Sequence, residues 1–478
     1  MKARFKRLTI AVAIAAAVSA PGAYALSDDT TRDLDAIGSP IRPAPADPVI
    51  AHALQQISPQ QIQHTIETLV GFHTRNTLSS MTKDLPAGQG VSAAADWIES
   101  EFKRYSDACG GCFEVKRDTF TESPQTRVPQ PTTITNVYAI LRGSDPVQAK
   151  RMYLVTGHYD SRNTDVLDTH GEAPGANDDA SGVAAVLEAA RILSAHHFPA
   201  TIVYSINSGE EQGLYGGKVL ADYAKAQGWR VEAVLNNDIV GGTHGADGRV
   251  VDGEVRVFSE GTRADETPAE AADRRRSGAE MDAPSREVAR FMRRQAEAYT
   301  PALRVRMILR HDRFGRGGDQ LPMQQAGFPA VRITEADENY TRQHQDVRTE
   351  NGIAYGDVIS GVDFPYLAKV TALNTVTLAA LASAPPPPTD LKLAGAVTAD
   401  TTLSWAPAPG ASDYRVWWRE TTEPFWRDDQ SRATAGATTM TLKGINIDDY
   451  VFGVSSRGSD GSESPVEFPG PAGAFVRQ

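Results

Sequence analysis

The sequence predicts an α/β domain with a mixed, largely parallel central sheet covered by helices on both faces, followed by a small C-terminal all-β sandwich. Three observations predict it. Between residues 50 and 384, short apolar runs alternate with amphipathic helical stretches, a pattern that builds a helix-covered sheet. Four consecutive prolines, Pro385 to Pro388, then interrupt the chain as a stiff spacer. After them come only short alternating runs separated by turn residues. A chain of 478 residues is also too long for one core. The expected units are 50–384 and 389–478, each reading as self-sufficient, so that a chain ending near Ala384 is expected to fold by itself.

The elements follow in order. MKARFKR is basic, LTIAVAIAAAVSA is apolar, and Ala23-Tyr24-Ala25 has the small-x-small form of a cleavage site, so 1–25 reads as a signal peptide. Residues 26–49, rich in Pro, Asp and Ser, read as a leader or linker. Ile62, Ile66, Leu69 and Val70 recur at helical spacing, and VSAAADWIESEFKRY predicts a second helix. Strands are expected at FEVKRDTF, ITNVYAIL, MYLVTG, TIVYSIN, AVLNND, LRVRMIL and AVRIT. Helices are expected at GVAAVLEAARILSAHH, GGKVLADYAKAQG, SREVARFMRRQAEAY and DFPYLAKVTALNTVTLAALAS. Residues 245–282 carry charges of both signs without apolar periodicity and read as an insertion loop.

Composition excludes some functions. A net charge of −12 argues against nucleic-acid binding. The apolar part of the signal peptide is about 13 residues, short of the roughly 20 that span a bilayer, so no stable membrane anchor is expected and the chain reads as periplasmic or secreted. The two cysteines, Cys109 and Cys112 in CGGC, have no second pair with which to form a zinc ribbon, and in an exported chain they read as a local disulfide.

Five metal-type side chains stand at or near strand ends: His158 in VTGHYDSR, Asp178 in PGANDDASG, one of the pair Glu210-Glu211 in INSGEEQGLYGG, Asp238 in LNNDIVGG and His344 in NYTRQHQDVR. Ligands of open α/β sheets bind beyond the carboxyl ends of the strands. Two imidazoles and three carboxylates suit zinc, and the remaining Glu is free to act as a base. Five ligands exceed the four of one tetrahedral site unless one is shared. Asp160, two residues after His158, can accept the free imidazole N–H. Asp346 could do the same for His344, and Asp179 is placed to cap the following helix.

In this order the blocks GHYDS, PGANDDASG, GEEQGLYG, NND and the late His resemble the co-catalytic zinc aminopeptidases, a family that also contains glutamate carboxypeptidases and glutaminyl cyclases. The resemblance implies two zinc ions per chain, bridged by Asp178, with His158 and Asp238 on one ion and Glu211 and His344 on the other. It implies Glu210 as general base toward a zinc-held water, and peptides as substrates. The tyrosine that several members use to steady the oxyanion is missing from HDRFGRGGDQLP, which leaves Arg316, or less directly Tyr340, for that role. An α-amine would be read by Glu335 or Glu338. The competing readings are a carboxypeptidase using Arg313, Arg316 and Arg332, a glutaminyl cyclase, and a non-catalytic binding protein on a peptidase fold. Beyond the prolines, LSW, YRVWWR and YVFGVSSRGSDGSESP resemble a fibronectin type III domain, with Trp405 as the buried tryptophan. Such a domain could take a surface or polymer ligand.

Overall fold

The protein is described here from a computed structural model, which places residues 39–40, 47–470 and 473–475. The expected signal peptide at 1–25 and most of the expected leader lie outside the described residues. In chain order the strands are β1 (Ser39–Pro40), β2 (Phe113–Glu122), β3 (Thr132–Leu141), β4 (Arg151–His158), β5 (Thr201–Asn207), β6 (Arg230–Asn237), β7 (Glu254–Ser259), β8 (Arg304–Ile308), β9 (Ala330–Glu335), the small hairpin β10 (Arg348–Glu350) and β11 (Ile353–Tyr355), then β12 (Thr389–Ala394), β13 (Thr401–Ala406), β14 (Asp413–Glu420), β15 (Ser431–Ala433), β16 (Thr439–Leu442) and β17 (Tyr450–Arg457).

Eight strands form the central sheet in the order β2-β3-β5-β4-β6-β9-β7-β8. The four at its centre, β5-β4-β6-β9, are mutually parallel. Antiparallel pairing brings β3 against β5 and β7 against β9. The central strands are buried along both faces, and their side chains alternate between two cores. Tyr153 and Val155 of β4 face the larger core under helices 59–71, 91–108, 180–193, 284–299 and 364–383. Met152 and Leu154 face a second core, closed by Leu220, Ala221 and Ala224 of helix 215–226 and by Met323. Buried apolar runs of this kind are how parallel strands read.

Residues 245–282 are not a loop. They contain β7, which lies inside the central sheet, and a helix, Pro268–Ser277, with a capping box between Thr267 and Glu270. The strand's period was hidden by its charges. Val255 and Val257 are buried, while Arg256 finds its counter-charge on Glu338 at 2.7 Å, far along the chain.

The C-terminal unit is a sandwich of a three-stranded sheet, β12-β13-β16, and a four-stranded sheet, β1-β15-β14-β17. Leu403, Trp405, Tyr414, Val416, Trp418, Leu442 and Phe452 fill the space between them, and Trp405 meets Tyr414 edge-on with ring centroids 5.5 Å apart. The leader does more than link, since Ser39–Pro40 pairs with Arg432–Ala433 at the sandwich edge.

The four prolines are not an exposed spacer either. They are buried between the two units, and the Ser456 hydroxyl donates to the Pro386 carbonyl at 2.6 Å. In β14 the residues that point away from the sandwich core face the larger unit. Trp417 packs with Trp426, Val451, Val466, Phe468 and Ala279, and the Arg294 guanidinium lies over its ring at 4.5 Å. Arg419 pairs with Asp282 at 2.5 Å, Arg290 pairs with both Asp282 and Glu287, and Trp426 Nε1 donates to Glu287 at 2.8 Å. Asp282, Glu287, Arg290 and Arg419 are all buried. Ion pairs this dry hold only while both partners are present. A chain ending at Ala384 strips Arg419 and Trp426 from Asp282 and Glu287. It is therefore expected to aggregate, or to unfold at a clearly lower denaturant concentration than the full chain. A truncated chain with an unchanged unfolding midpoint would show the units to be independent.

Candidate metal centre

Strand β4 is flanked by β5 on one side and β6 on the other, so the chain's connections diverge at its carboxyl end, and a crevice opens there. His158 is the last residue of β4. Glu210 and Glu211 begin a single helical turn, Glu210–Gly213, just after β5. Asp238 follows β6, and His344 lies in the loop beyond β9. Asp178 precedes helix 180–193.

The five residues converge. Asp178 lies between the two histidines and offers each a different oxygen. Its Oδ1 is 3.2 Å from His158 Nε2, and its Oδ2 is 2.9 Å from His344 Nε2. Asp238 Oδ2 approaches His158 Nε2 to 4.0 Å, and Glu211 Oε1 approaches His344 Nε2 to 3.1 Å. Two groups able to hold a metal ion result: His158, Glu210 and Asp238, and beside them Asp178, Glu211 and His344.

The residues fit cations. His158 Nε2 and Glu211 Oε1 are buried and make no hydrogen bond, an expensive arrangement for polar atoms without another partner. The charges point the same way. Burial by itself would lower the His158 pKa, but the carboxylates of Glu210, Asp160 and Asp178 outweigh it and hold it well above the usual imidazole range. Burial, followed by Asp238 and Glu211, drives the Glu210 carboxyl well above its ordinary value despite the opposing pull of His158. At His344, burial is again outweighed, by Glu211 and Asp178, and the ring is pushed up to about 10. Negative charge is in excess, and cations between the groups would relieve it.

Backbone bonds set this geometry. Asp179 caps helix 180–193 by accepting from Gly182 N at 3.0 Å. It also accepts from His158 N at 3.0 Å and from Ile239 N at 3.2 Å, tying together three of the segments that bear the five residues. A Cβ on Gly182 would stand 2.4 Å from the Asp179 carboxylate, so only glycine allows the approach. Asp357 accepts from the backbone N–H groups of Asn177 and Asp178, the latter at 2.7 Å. Arg75, fully buried, donates to the carbonyls of Tyr159, Pro174 and Gly175, which clamps the loop before Asp178 against the end of β4. The Asp178–Asp179 peptide bond is cis.

Several expected roles move. The closest partner of His158 Nδ1 is the backbone carbonyl of Asp160 at 3.0 Å, with the Asp160 carboxylate at 3.5 Å. That carboxylate instead accepts from Thr77 Oγ1 at 2.8 Å and from Glu211 N at 3.1 Å, which fixes the turn carrying both glutamates. Asp346 accepts from Thr164 N rather than serving His344. Glu338 is shared among Arg256, Arg313 and Arg316. Glu335 is buried, accepts from Asn177 and Gly242, and is pushed up to about 8 by burial. Neither glutamate lines the cleft itself; both line a smaller pocket beside it that shares Asp178 and Gln343 with it. Arg332 is buried and spent on Asp238 at 2.5 Å. Arg316, Arg313 and Tyr340 do line the cleft, an open cavity of about 780 Å³ above both metal groups. Cys109 and Cys112 are disulfide-bonded, away from it.

Residues 136–357 match the model of peptidase family M28. A "probable zinc metalloprotease" of Leptosphaeria maculans is 41% identical over 434 residues, covering 90% of this chain and 99% of the relative. The chain belongs to peptidase family M28. A second "probable zinc metalloprotease", from Pyricularia oryzae, is 39% identical and covers 88% of this chain and 84% of its own length. Among solved structures, Legionella pneumophila LapA is similar in fold, with a TM-score of 0.50 at 18% identity, covering 72% of this chain and 79% of that one. This M28 member is a zinc metalloprotease built on the mixed α/β fold of its family. The Leptosphaeria alignment is too long to stop before the prolines, so the likeness runs on into the C-terminal unit.

If Asp179 is the tie described, Asp179→Ala strands three backbone donors and costs about 2–4 kcal/mol in stability. The same variant is expected to bind zinc more weakly in a chelator competition. Unchanged zinc affinity would show that the ligands do not depend on this carboxylate for their position.

Proposed function

We propose that the protein is an exported dizinc exopeptidase that removes amino-terminal residues from peptides. The observation that carries the dinuclear reading is the Asp178 carboxylate, which gives one oxygen to each of two adjacent ligand groups. In this reading Asp178 would hold both ions, His158 and Asp238 would complete one, and Glu211 and His344 the other. Zinc bound there would polarise the scissile carbonyl and make a water molecule more acidic.

The rest of the chemistry belongs to the chain. Glu210 lines the cleft with its carboxylate close to His158 and Asp238. With Asp178 shared between the two ions, this reading leaves Glu210 free of ligation, so it takes the proton from the attacking water and returns it to the departing amine. The Asp160 carboxylate keeps it in place by holding the turn through Glu211 N. Arg316, a third exposed, is anchored to Glu338 at 2.9 Å and to Gln343 Oε1 at 3.1 Å. A donor fixed beforehand stabilises developing charge without reorganising, which favours Arg316 over the more exposed Tyr340 as the oxyanion partner. Export rests on the amino-terminal pattern of the sequence. Among the described residues, no helix is long and apolar enough to cross a membrane.

The amino-terminal preference rests on the family resemblance. The carboxy-terminal alternative draws no support from Arg313, Arg316 and Arg332, since each already serves a carboxylate inside the protein. Aminoacyl anilides should be cleaved and their N-acetyl forms spared. Release of C-terminal residues from acetylated peptides at comparable rates would replace this reading with the carboxypeptidase one. Glu210→Gln is expected to lower kcat by about 10²–10⁴-fold while zinc content stays that of the parent protein. A loss of zinc would make Glu210 a ligand.

A further inference from the structure

The cleft above the metal groups is walled by guanidinium groups, although the chain as a whole carries a net charge of −12. Four arginines line it: Arg127, Arg162, Arg313 and Arg316. Two of these are answered internally, because Arg313 and Arg316 share Glu338. The other two are not. Arg127 donates from Nη1 to the Glu211 carbonyl at 2.9 Å. Arg162 donates from Nε to the Asn163 carbonyl at 3.0 Å and from Nη2 to the Thr164 carbonyl at 2.8 Å. All three acceptors are neutral. Among the described residues, neither guanidinium is ion-paired.

The carboxylates that line the same cleft, Asp178, Glu210, Glu211 and Asp238, belong to the metal groups, where bound cations would meet their charge. Two positive charges therefore border the cleft with no internal counter-charge. They are also held. A guanidinium has five N–H donors, and the bonds to main-chain carbonyls fix each fork while leaving other N–H groups unspent. Fixed arginine forks select carboxylates through paired, charge-assisted hydrogen bonds. Their location is specific: Arg127 rests on the carbonyl of the ligand Glu211, and Arg162 lies two residues beyond Asp160. A group bound by them would sit next to the reacting bond.

We propose that Arg127 and Arg162 bind a carboxylate of the peptide substrate, so that the enzyme selects peptides with negative charge close to the scissile bond. The proposal rests on the hydrolase reading of the same cleft and adds a substrate class to it. The carboxylate has two possible sources, an acidic side chain flanking the bond or the free α-carboxylate of a short peptide.

The test uses the full-length, zinc-loaded protein and three peptides: one with Glu beside the scissile bond and a free C-terminus, one with Gln in place of Glu, and one with a C-terminal amide. Discrimination is read as the ratio of kcat/KM values, and binding of the same peptides to Glu210→Gln is followed by calorimetry. Neutralising the recognised carboxylate is expected to lower kcat/KM and affinity by about 10- to 100-fold. That ratio should collapse toward one in Arg127→Gln with Arg162→Gln, a variant first checked for parental zinc content and circular dichroism. A fall with Gln alone assigns the side chain, and a fall with the amide alone assigns the α-carboxylate. Equal treatment of all three peptides, or discrimination that survives in the double variant, overturns the proposal. Should no peptide be hydrolysed, the hydrolase reading fails by itself. Calorimetry on the parent protein then still decides whether charge-dependent binding requires the two arginines.

Discussion

Buried carboxylates have to be neutralised or hydrogen-bonded, and around this site the chain does both at adjacent positions. Asp179 is satisfied by three backbone N–H groups drawn from the end of β4, the start of helix 180–193 and the segment after β6. Those segments meet only when the central sheet has its final order. The carboxylate therefore gains its hydrogen bonds all at once or leaves a desolvated charge behind. Asp178, next along the chain, is left to face the two imidazoles. The clamp by Arg75 and the acceptance of two amides by Asp357 serve the same end, since they fix the loop that points Asp178 into the crevice. Much of the polar interior near the site is thus scaffolding for the one side chain that faces both imidazoles.

A second buried charge network ties the two units together. Asp282 and Glu287 balance Arg290 and Arg419, and the aromatic rings of Trp417 and Trp426 cover them. Asp282 closes the segment that holds β7 and helix 268–277, so the piece of chain that looks most like a solvated excursion carries both a strand of the central sheet and the seat of the sandwich. The sandwich docks away from the cleft, and its effect on catalysis would pass through the stability of the sheet.

The sheet and the convergence of the five metal-type residues were legible because both depend on local patterns. Apolar runs mark buried strands, and a polar residue at the end of such a run marks the edge of the sheet where side chains can meet. What stayed hidden depends on partners distant in sequence. β7 reads as loop because Arg256 is answered by Glu338 across the fold. Arg75 and Asp357 bond to backbone groups, which leave no residue-type signal at all. The spacing His158-x-Asp160 correctly suggested a partner for the imidazole but not which atom would serve. The chain turns after β4 so that the Asp160 carbonyl faces the ring and its carboxylate reaches the amides of the glutamate turn. For a related reason the sequence does not tell Glu338, shared among three arginines, or Glu335, buried against Asn177 and Gly242, from an acidic residue with its charge still open.

The proposed dizinc centre requires Asp178 to hold both ions. Anomalous diffraction at the zinc edge from crystals of the zinc-loaded protein measures it directly. Two peaks are predicted, one beside His158 and Asp238 and the other beside Glu211 and His344, each in contact with a different oxygen of Asp178. A single peak, or a pair with Asp178 bound to only one of them, would contradict it.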